Sequence, residues 1–501
     1  MLKNIECLQL KINMSASIFF AVIFSYFTAL IIISRITAKK ADSASYFIGN
    51  KQSPWYLVAF GMLSDSLSGV TYISVPGAVL NNSLTYLQVV IGYFLGYFVI
   101  MFILLPLYYR LELVSIYTYL QQRFGKNAQK TGSFFFLISR LLGAGGRLTL
   151  AIGVMQLFVF NGYGIPFPLT AAVFIGLMLL YTYKGGIKTL VYTDAFQSLF
   201  LILGVVLSIV AIATQLNYNF SDLFETVRHS SLNKVIETDY LKGNFWAKHI
   251  LGGALFTVAM TGLDQNMMQK NLSLKSLGEA RKNMFWFSLV MVIVNILFLS
   301  LGVLLYHFAL AKGIQIPEVS DNVFPTLALG YFGTFTALAF IIGLTAATFS
   351  SADSVLATLT TSFCIDFLGF GMNAKYGENQ QTKIRHWVHI GFAFVLLLVI
   401  VFIKYAFSSK ASIDVILSMA SLTYGPLIGL FAAGLFTKHT YNDRLIPLVC
   451  LISPVISYFL QQNGKAWFGG YQFGNEIIFI NGFLTFIFLL LLKRKKLSTP
   501  L

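Results

Sequence analysis

Charged residues inside long apolar segments are the feature that most constrains what this chain can fold into. Asp65, Arg140, Arg147, Asp194 and Asp353 each lie in or beside a stretch that is long enough to cross a lipid bilayer. A charge at the bilayer centre costs about 3 kcal/mol or more, so such residues usually face a protein interior or a water-filled cavity. Charges of both signs in these segments therefore predict a polar path through a membrane.

The composition also indicates a membrane protein. Hydrophobic residues make up 57% of the 501 residues and charged residues 11%, whereas soluble domains carry roughly 25% charged residues. The net charge of +16 does not predict nucleic-acid binding, because the basic residues cluster in short loops. Three scattered cysteines, Cys7, Cys364 and Cys450, predict neither a disulfide framework nor a metal site. We find no nucleophile–base pair and expect no enzyme.

Apolar segments of the length that a spanning helix needs, about 20 residues, recur along the chain. They predict an all-α integral membrane protein with about thirteen transmembrane helices, near residues 17–34, 53–80, 85–109, 131–160, 166–184, 190–214, 248–270, 284–310, 328–364, 386–405, 412–437, 444–462 and 474–493. Loops after the odd-numbered segments are rich in Lys and Arg, and the polar stretch 215–247 has room for a small external helix. Because cytoplasmic loops carry the excess positive charge, we expect insertion in the cytoplasmic (inner) membrane with the N-terminus outside and the C-terminus inside.

The middle of segment 53–80 holds a dense polar cluster. From Ser64 to Thr71 it contains three serines, a threonine, an aspartate and a glycine. Serine side chains compete for backbone hydrogen bonds, and glycine costs about 1 kcal/mol in a helix interior. We therefore predict a helix break that frees carbonyl oxygens for a cation, as in the broken midplane helices of many secondary transporters. The alternative is a helix-packing face of small residues.

Segment 328–364 holds a second polar cluster, which runs from Thr345 to Ser354. Its residues 347, 350, 351 and 354 fall on one helical face by their spacing. Two hydroxyls and a carbonyl of that face, with two carbonyls from the broken helix, would supply about five hard oxygen ligands. Such neutral ligands suit a monovalent cation better than Ca²⁺ or Mg²⁺, because these two ions favour carboxylates. Packing of small residues is again the alternative.

Four motifs resemble the sodium:solute symporter family, which includes the sodium/sugar, sodium/proline and sodium/sialate cotransporters. The most specific motif is Tyr183-Lys184-Gly185-Gly186-Ile187-Lys188 followed by Tyr192-Thr193-Asp194-Ala195-Phe196-Gln197. The others are Tyr117–Phe124 in the third loop, Asp264-Gln265 with Gln269-Lys270 at the end of the seventh segment, and Thr345–Asp366. The resemblance covers nearly the whole chain.

The resemblance implies a LeuT-like core of two inverted five-helix repeats, with one helix before the core and two after it. The second broken helix would be 248–270, where Gly252, Gly253 and Gly262 provide flexibility. The implied divisions are five: an external N-terminus with the first helix and a cytoplasmic loop (1–52), the first repeat (53–214), an external loop (215–247), the second repeat (248–437), and two final helices with a basic cytoplasmic tail (438–501).

The resemblance also implies where cations bind. The family's principal sodium site maps to the carbonyls of Ser64, Leu67 and Ala347 and the hydroxyls of Ser350 and Ser351. The second sodium site of some members maps to Ser350 with three further residues, Asp194, Asp353 and Ser354. Asp353 stands where a serine is expected, so it could strengthen cation binding or couple protons, and the stoichiometry stays open. Asp194 could instead be the structural partner of a membrane arginine.

The sequence constrains the identity of the solute less than it constrains the ion site. The family's solute position gives Ser66, Ser68, Thr71 and Gln88 as candidate hydrogen-bonding residues. Arg147 lies deep in segment 131–160, and a guanidinium there can hold a carboxylate with two parallel bonds. This favours an anionic solute such as a sialate or a small carboxylate. The alternative is that Arg147 or Arg140 forms a structural pair with Asp65 or Asp194.

Together these observations predict a sodium-coupled symporter of a small organic solute that works by alternating access. The implied partners are the solute, sodium and the lipid bilayer, with Na⁺ as coupling ion and no other cofactor. A transporter-like solute sensor and sodium-coupled uptake of a neutral sugar or amino acid stay open as alternatives. A channel fits less well, because buried ion ligands at broken helices suit an occluded site better than a continuous pore.

Overall fold

A computed structural model describes residues 16–37, 49–370, 377–406 and 412–494 of the chain. Its α-helices, numbered in chain order, are α1 (Ala16–Thr37), α2 (Trp55–Ser66), α3 (Gly69–Gly77), α4 (Val79–Asn82), α5 (Tyr86–Val99), α6 (Leu105–Arg110), α7 (Thr118–Arg123), α8 (Lys126–Phe158), α9 (Phe167–Leu216), α10 (Phe220–Arg228), α11 (Trp246–Thr257), α12 (Gln265–Leu272), α13 (Leu277–Ala311), α14 (Val323–Gly330), α15 (Thr334–Ser362), α16 (Glu378–Ala406), α17 (Ser412–Phe436), α18 (Ile446–Trp467) and α19 (Ile477–Leu491). Within these ranges, the sheet is one antiparallel pair, β1 (Thr440–Tyr441) with β2 (Lys493–Arg494), in which Thr440 faces Arg494.

Length and apolar character suit many of these helices to a bilayer. Among the described residues, nine helices could cross a membrane on their own, and the bent pair α2–α3 would make ten. Two shorter apolar helices, Phe167–Thr182 and Ile477–Leu491, coincide with further predicted segments. Helices form here because hydrocarbon offers no partner for backbone groups, which a helix pairs internally. The all-helical prediction is confirmed, and the count of thirteen stays a prediction.

Two helices are interrupted near the middle of the molecule. The axes of α2 and α3 differ by 58°, and Leu67 between them leaves the helical region with φ −90° and ψ 71°. The second interruption follows α11, where a π-helical turn, Val258–Gly262, leads into α12. Asp264 caps α12, because its Oδ1 accepts a hydrogen bond of 3.2 Å from the Met267 amide. Both breaks lie in the segments where the sequence predicts them.

The predicted segments 166–184 and 190–214 join end to end in α9. The backbone turns at Gly186, whose φ of 57° and ψ of −165° lie outside the helical region. Such a conformation suits glycine, because an L side chain at positive φ clashes with the backbone. The turn sets the second half of α9, which carries Asp194, at its own angle to the first.

The stretch 215–247 contains the short helix α10, capped by reciprocal hydrogen bonds between Asn219 and Asp222. Further along, Glu237 accepts hydrogen bonds from Lys234 at 2.9 Å and Lys242 at 3.0 Å, which lower the pKa of its carboxyl to about 2. The Glu237 amide also donates to Gln88 Oε1 at 3.3 Å. The bond to Gln88 ties the stretch to α5, and the two lysine bonds fix Glu237 within the stretch.

The core of the molecule is centred on α15. Every residue of this helix from Gly343 to Ser362 is buried, and α9, α2, α8 and α16 all pack against it. The predicted polar cluster of α15 therefore lies in the protein interior rather than in lipid, which removes the cost of exposing hydroxyls to hydrocarbon.

Candidate ion and solute sites

The break between α2 and α3 lies against the hydroxyl-rich part of α15. A Cβ placed on Gly69 would come within 2.9 Å of Thr348 Oγ1 and 3.5 Å of a Leu344 methyl group. Both α2 and α3 contact α15. The structure thus brings together the helix segments that carry the five residues of the predicted principal site, at Ser64, Leu67, Ala347, Ser350 and Ser351.

The hydroxyls of this site differ in how they are satisfied. Ser350 is fully buried, and its Oγ has no hydrogen-bond partner among the described residues. Ser351 Oγ makes only long bonds to the carbonyls of Ala347 at 3.3 Å and Thr348 at 3.2 Å. A buried hydroxyl without a partner costs about 1–3 kcal/mol. A cation coordinated by Ser350 Oγ would remove that cost, so the residues present fit a sodium site.

Ser64 is held in place through its side chain. Its Oγ donates to the carbonyls of Gly61 and Asp194, both at 3.0 Å, and its amide donates to Ser198 Oγ at 3.0 Å. The hydroxyl hydrogen is therefore already used within the protein, and the Ser64 carbonyl stays the predicted sodium ligand. These bonds also tie the end of α2 to α9.

Lys270 is a buried residue at the predicted second site that the sequence analysis places only in a motif. Its Nζ donates to Asp65 Oδ2, to Asp194 Oδ2 at 2.5 Å and to Ser354 Oγ at 3.1 Å. The side chains of Lys270, Asp65 and Asp194 are each no more than 1% exposed. An ammonium group therefore lies between Asp194 and Ser354, two of the residues predicted to form a second cation site.

Asp353, the third residue of that predicted site, has different partners. Its Oδ2 accepts from the Tyr181 hydroxyl at 2.9 Å, and its Oδ1 accepts from the Ser354 amide at 2.5 Å. Among the described residues, no lysine or arginine lies within ion-pair distance of Asp353. Asp353 is thus not part of an ion pair in the described part of the chain.

The two membrane arginines have different environments. Arg140 Nε lies 2.5 Å from Asp264 Oδ2, which also accepts from the Tyr424 hydroxyl at 3.0 Å. A second Arg140 nitrogen donates to the Met260 carbonyl at 3.2 Å. Arg140 is thus a structural ion pair, with Asp264 as its partner rather than Asp65 or Asp194. It fastens α8 to the second helix break.

Arg147 faces a central cavity. It is buried, its one hydrogen bond among the described residues is a long contact of 3.4 Å to the Asp65 carbonyl, and no carboxylate of that part of the chain lies in ion-pair range. The cavity has a volume of about 100 Å³ and is lined by polar and aromatic side chains that include Asp65, Ser66, Ser68, Thr71, Tyr86, Tyr93, Tyr97, Arg140, Arg147, Thr257, Thr261 and Asn295. Four of the five predicted solute residues therefore meet at one cavity.

Gln88, the fifth, does not line this cavity. Its side chain bonds the carbonyls of Thr85 at 2.9 Å and Asn244 at 3.4 Å, and it accepts from the Glu237 amide. Gln88 was predicted to contact the solute, but in the structure its side chain anchors the stretch 215–247. The physical reason is that Gln88 lies in the first turn of α5, at the level of that stretch.

The sequence analysis did not single out several of the lining residues, among them Tyr86, Tyr93 and Asn295. Tyr86 and Tyr93 share a hydrogen bond of 3.2 Å between their hydroxyls. Asn295 donates to the Met291 carbonyl at 2.8 Å, and its buried Oδ1 has no partner in the described structure. That oxygen could accept a hydrogen bond from a solute. The i, i+7 spacing of Tyr86 and Tyr93 on α5 could have identified the tyrosine pair. A lone asparagine in an apolar helix gives no such signal.

A larger cavity leads away from the central one. It has a volume of about 650 Å³, and both cavities are lined by Tyr86 and Leu417. The larger cavity is lined by residues near the end of α3, by residues 242–244 and by residues 472–475. Because it reaches the polar stretch 215–247, it forms a vestibule on that face of the molecule.

Sequence comparisons show which known transporters this chain is similar to. The model of the sodium:solute symporter family matches residues 46–443. The sodium/sialic acid symporter SiaT of Proteus mirabilis is 23% identical, over 84% of each chain. The sodium/sialic acid symporter NanT of Aliivibrio fischeri is 23% identical over 92% of each chain. Sodium-coupled monocarboxylate transporter 2 of Mus musculus is 24% identical, over 79% of this chain and 64% of its own length.

Solved structures share the fold. A Na⁺-coupled sialic acid symporter in a substrate-bound outward-open state superposes with a TM-score of 0.81 and 20% identity, over 94% of this chain and 96% of that one. The nucleobase-cation-symport-1 transporter Mhp1 in a closed conformation superposes with a TM-score of 0.58 and 11% identity, over 89% and 94% of the two chains. The predicted LeuT-like fold is confirmed.

The family match also settles the class of activity. The expectations of a transporter rather than an enzyme, and of Na⁺ as the coupling ion, are confirmed. A multi-pass membrane transporter is likewise shown. Because the family model matches well over half of the 501 residues, the chain belongs to the sodium:solute symporter family.

Proposed function

We propose that this sodium-coupled symporter carries a small organic anion whose carboxylate is bound by Arg147. The observation that carries the proposal is the buried guanidinium of Arg147, which faces the central cavity without a carboxylate partner in the described part of the chain. Arg140 serves as an internal comparison, because it lines the same cavity and is neutralised by Asp264. A buried, unneutralised guanidinium favours a solute that brings its own negative charge.

The cavity favours a small solute within this class. Its volume of about 100 Å³ corresponds to roughly three water molecules at their share of liquid volume, about 30 Å³ each. A short carboxylate fits that space, whereas a sialate would extend toward the vestibule. Ser66, Ser68 and Thr71 offer hydroxyls, and the unpaired Asn295 Oδ1 offers an acceptor. These groups suit a carboxylate that also carries a hydroxyl or amide donor.

We further propose how sodium and solute are coupled. Sodium binds between the α2–α3 break and α15 and holds these helices together, which stabilises the state whose vestibule is open. Thr71 and Ser68 lie immediately after the same break and line the solute cavity, so the ion also fixes the solute site. By linkage, sodium and solute must raise each other's affinity by the same factor. Inward opening would separate α2 from α15 and release both.

The orientation and the repeat boundaries belong to this proposal. The N-terminus lies outside and the C-terminus in the cytoplasm, so the stretch 215–247 and the vestibule face outward. The two inverted repeats comprise 53–214 and 248–437. The alternation of basic and uncharged loops supports this arrangement.

Uptake into proteoliposomes tests the proposal. We expect an inward sodium gradient to drive accumulation of lactate, pyruvate or another short carboxylate, and not of glucose or proline. Arg147→Gln removes the charged donors, so the solute concentration for half-maximal uptake should rise by ~10-fold or more. Arg147→Lys keeps the charge but loses the paired geometry and should fall in between.

Arg281→Gln is the matched control. Arg281 is an arginine that donates to the Met101 carbonyl and does not line the cavity, so this variant should transport with unchanged affinity. Sodium-driven uptake of a neutral solute, with carboxylates inactive, would contradict the anion assignment. Equal accumulation with and without the gradient would contradict the coupling.

A further inference from the structure

We infer that the ammonium group of Lys270 takes the place of a second coupling sodium, so that one sodium ion accompanies each transport cycle. The inference rests on sodium coupling through the principal site between α2 and α15, and not on the identity of the solute. It concerns the cluster that Lys270 forms with Asp65, Asp194 and Ser354.

The ammonium group of Lys270 lies where four helices meet. Its three contacts come from α2, α9 and α15, while Lys270 itself lies on α12. Asp194 and Ser354 also approach each other, with 3.5 Å between Oδ2 and Oγ. An ammonium and a sodium ion are both monovalent cations that bind carboxylate and hydroxyl oxygens. The Lys270 ammonium therefore binds Asp194 Oδ2 and Ser354 Oγ, two of the oxygens that a second sodium would need.

Of the two other residues of the predicted second site, Ser350 also belongs to the principal site, and Asp353 has a hydrogen-bond partner outside the Lys270 cluster. Both oxygens of Asp353 are used, by the Tyr181 hydroxyl and the Ser354 amide. A sodium ion placed beside Asp194 Oδ2 and Ser354 Oγ would face the Lys270 charge at contact distance. Like-charge repulsion in a buried site opposes such binding strongly.

The position of Lys270 is fixed by its surroundings. Every residue of α12 is buried. Asn266, one turn before Lys270, donates to Asp65 Oδ2 at 3.4 Å and accepts from Thr358 Oγ1 at 3.0 Å. The ammonium is therefore held by α12 and its neighbours and is not free to leave the cluster as a dissolved ion would.

The principal site stays available beside the filled one. The cluster contains two carboxylates, Asp65 and Asp194, and one ammonium, so it keeps an excess of negative charge when both acids are ionised. Their Oδ1 atoms have no hydrogen-bond partner in the described structure, and neither does Ser350 Oγ. The excess charge lies next to Ser64, whose carbonyl is a predicted ligand, and so favours a cation in the principal site. One site is thus open to sodium, and the other holds a tethered cation.

Binding of sodium alone to the purified protein tests the inference without knowledge of the solute. We expect radioactive sodium to saturate at one ion per wild-type protein. Lys270→Gln leaves two buried carboxylates without their counter-charge, so this variant should bind two sodium ions per protein. Its melting temperature should also depend more steeply on sodium concentration than that of the wild type, because a second bound ion adds to the stabilisation.

Two controls distinguish a filled site from a general loss of charge. In Lys270→Gln with Asp194→Asn, the net charge of the cluster returns to the wild-type value but the carboxylate for the second ion is lost, so the count should return to one. Lys248→Gln removes another buried lysine, whose Nζ binds the carbonyls of Lys242 and Gln472, and should leave the count at one.

The inference is overturned if the wild type binds two sodium ions, a result that needs no variant to fold. It is also overturned if Lys270→Gln is folded and binds one ion. Failure of sodium coupling itself would give a different result, since the wild type would then bind no sodium ion and show no gradient-driven uptake.

Discussion

Replacing Arg140 by methionine is expected to destabilise the folded protein by about 3–5 kcal/mol, because the change leaves the buried carboxylate of Asp264 without its counter-charge. Asp264 is fully buried, and its Oδ2 holds both Arg140 and the Tyr424 hydroxyl. Thermal unfolding followed by size-exclusion chromatography should show a strongly lowered melting temperature or aggregated protein.

A second change should restore much of that loss. Asp264→Asn removes the charge but keeps an N-cap for α12, since asparagine caps as well as aspartate. The double variant Arg140→Met with Asp264→Asn therefore contains neither buried charge and retains the cap. We expect it to be more stable than either single variant. A double variant as unstable as Arg140→Met alone would show that Arg140 acts through its packing rather than through the ion pair.

This ion pair also shows what the sequence could and could not predict. The transmembrane segments follow from runs of apolar residues, and the α2–α3 break follows from clustered serines and a glycine, because both are local properties. The pairing of acids with arginines depends on how distant segments pack, so it is not a local property of the sequence. Arg140 and Asp264 are 124 residues apart, and the sequence analysis considered only Asp65 and Asp194 as partners of Arg140.

Lys270 is the clearest case of this limit. In the sequence it stands at the end of segment 248–270, where a lysine looks like one more basic residue of a cytoplasmic loop. The π-helical turn and the break before α12 change the path of the chain, and α12 is buried as a whole. Only this tertiary arrangement places the ammonium beside Asp65 and Asp194. The sequence analysis thus named Asp194 and Ser354 but did not identify Lys270 as the cation that contacts them.

Removing the Ser350 hydroxyl is expected to weaken sodium binding without harming the sodium-free protein. Ser350→Ala deletes an oxygen that has no hydrogen-bond partner in the described structure, so the sodium-free melting temperature should stay the same or rise. The sodium concentration for half-maximal stabilisation should increase by ~10-fold, which at saturating sodium removes about 1.4 kcal/mol of stabilisation. A several-fold increase is expected for Ser351→Ala, whose hydroxyl keeps long bonds to its own helix.

Thr345→Ala provides the matched control on the same helix. Thr345 is equally buried, and its hydroxyl donates to the Ile341 carbonyl at 2.7 Å, so its loss should leave the sodium response unchanged. A purely structural role for Ser350 would lower the sodium-free melting temperature and leave the sodium dependence intact. Unchanged sodium dependence in both Ser350→Ala and Ser351→Ala would place the ion elsewhere. Since Ser350 is predicted to serve the principal site and Lys270 to fill the second, only the serine variants should lose sodium affinity, whereas Lys270→Gln should gain an ion.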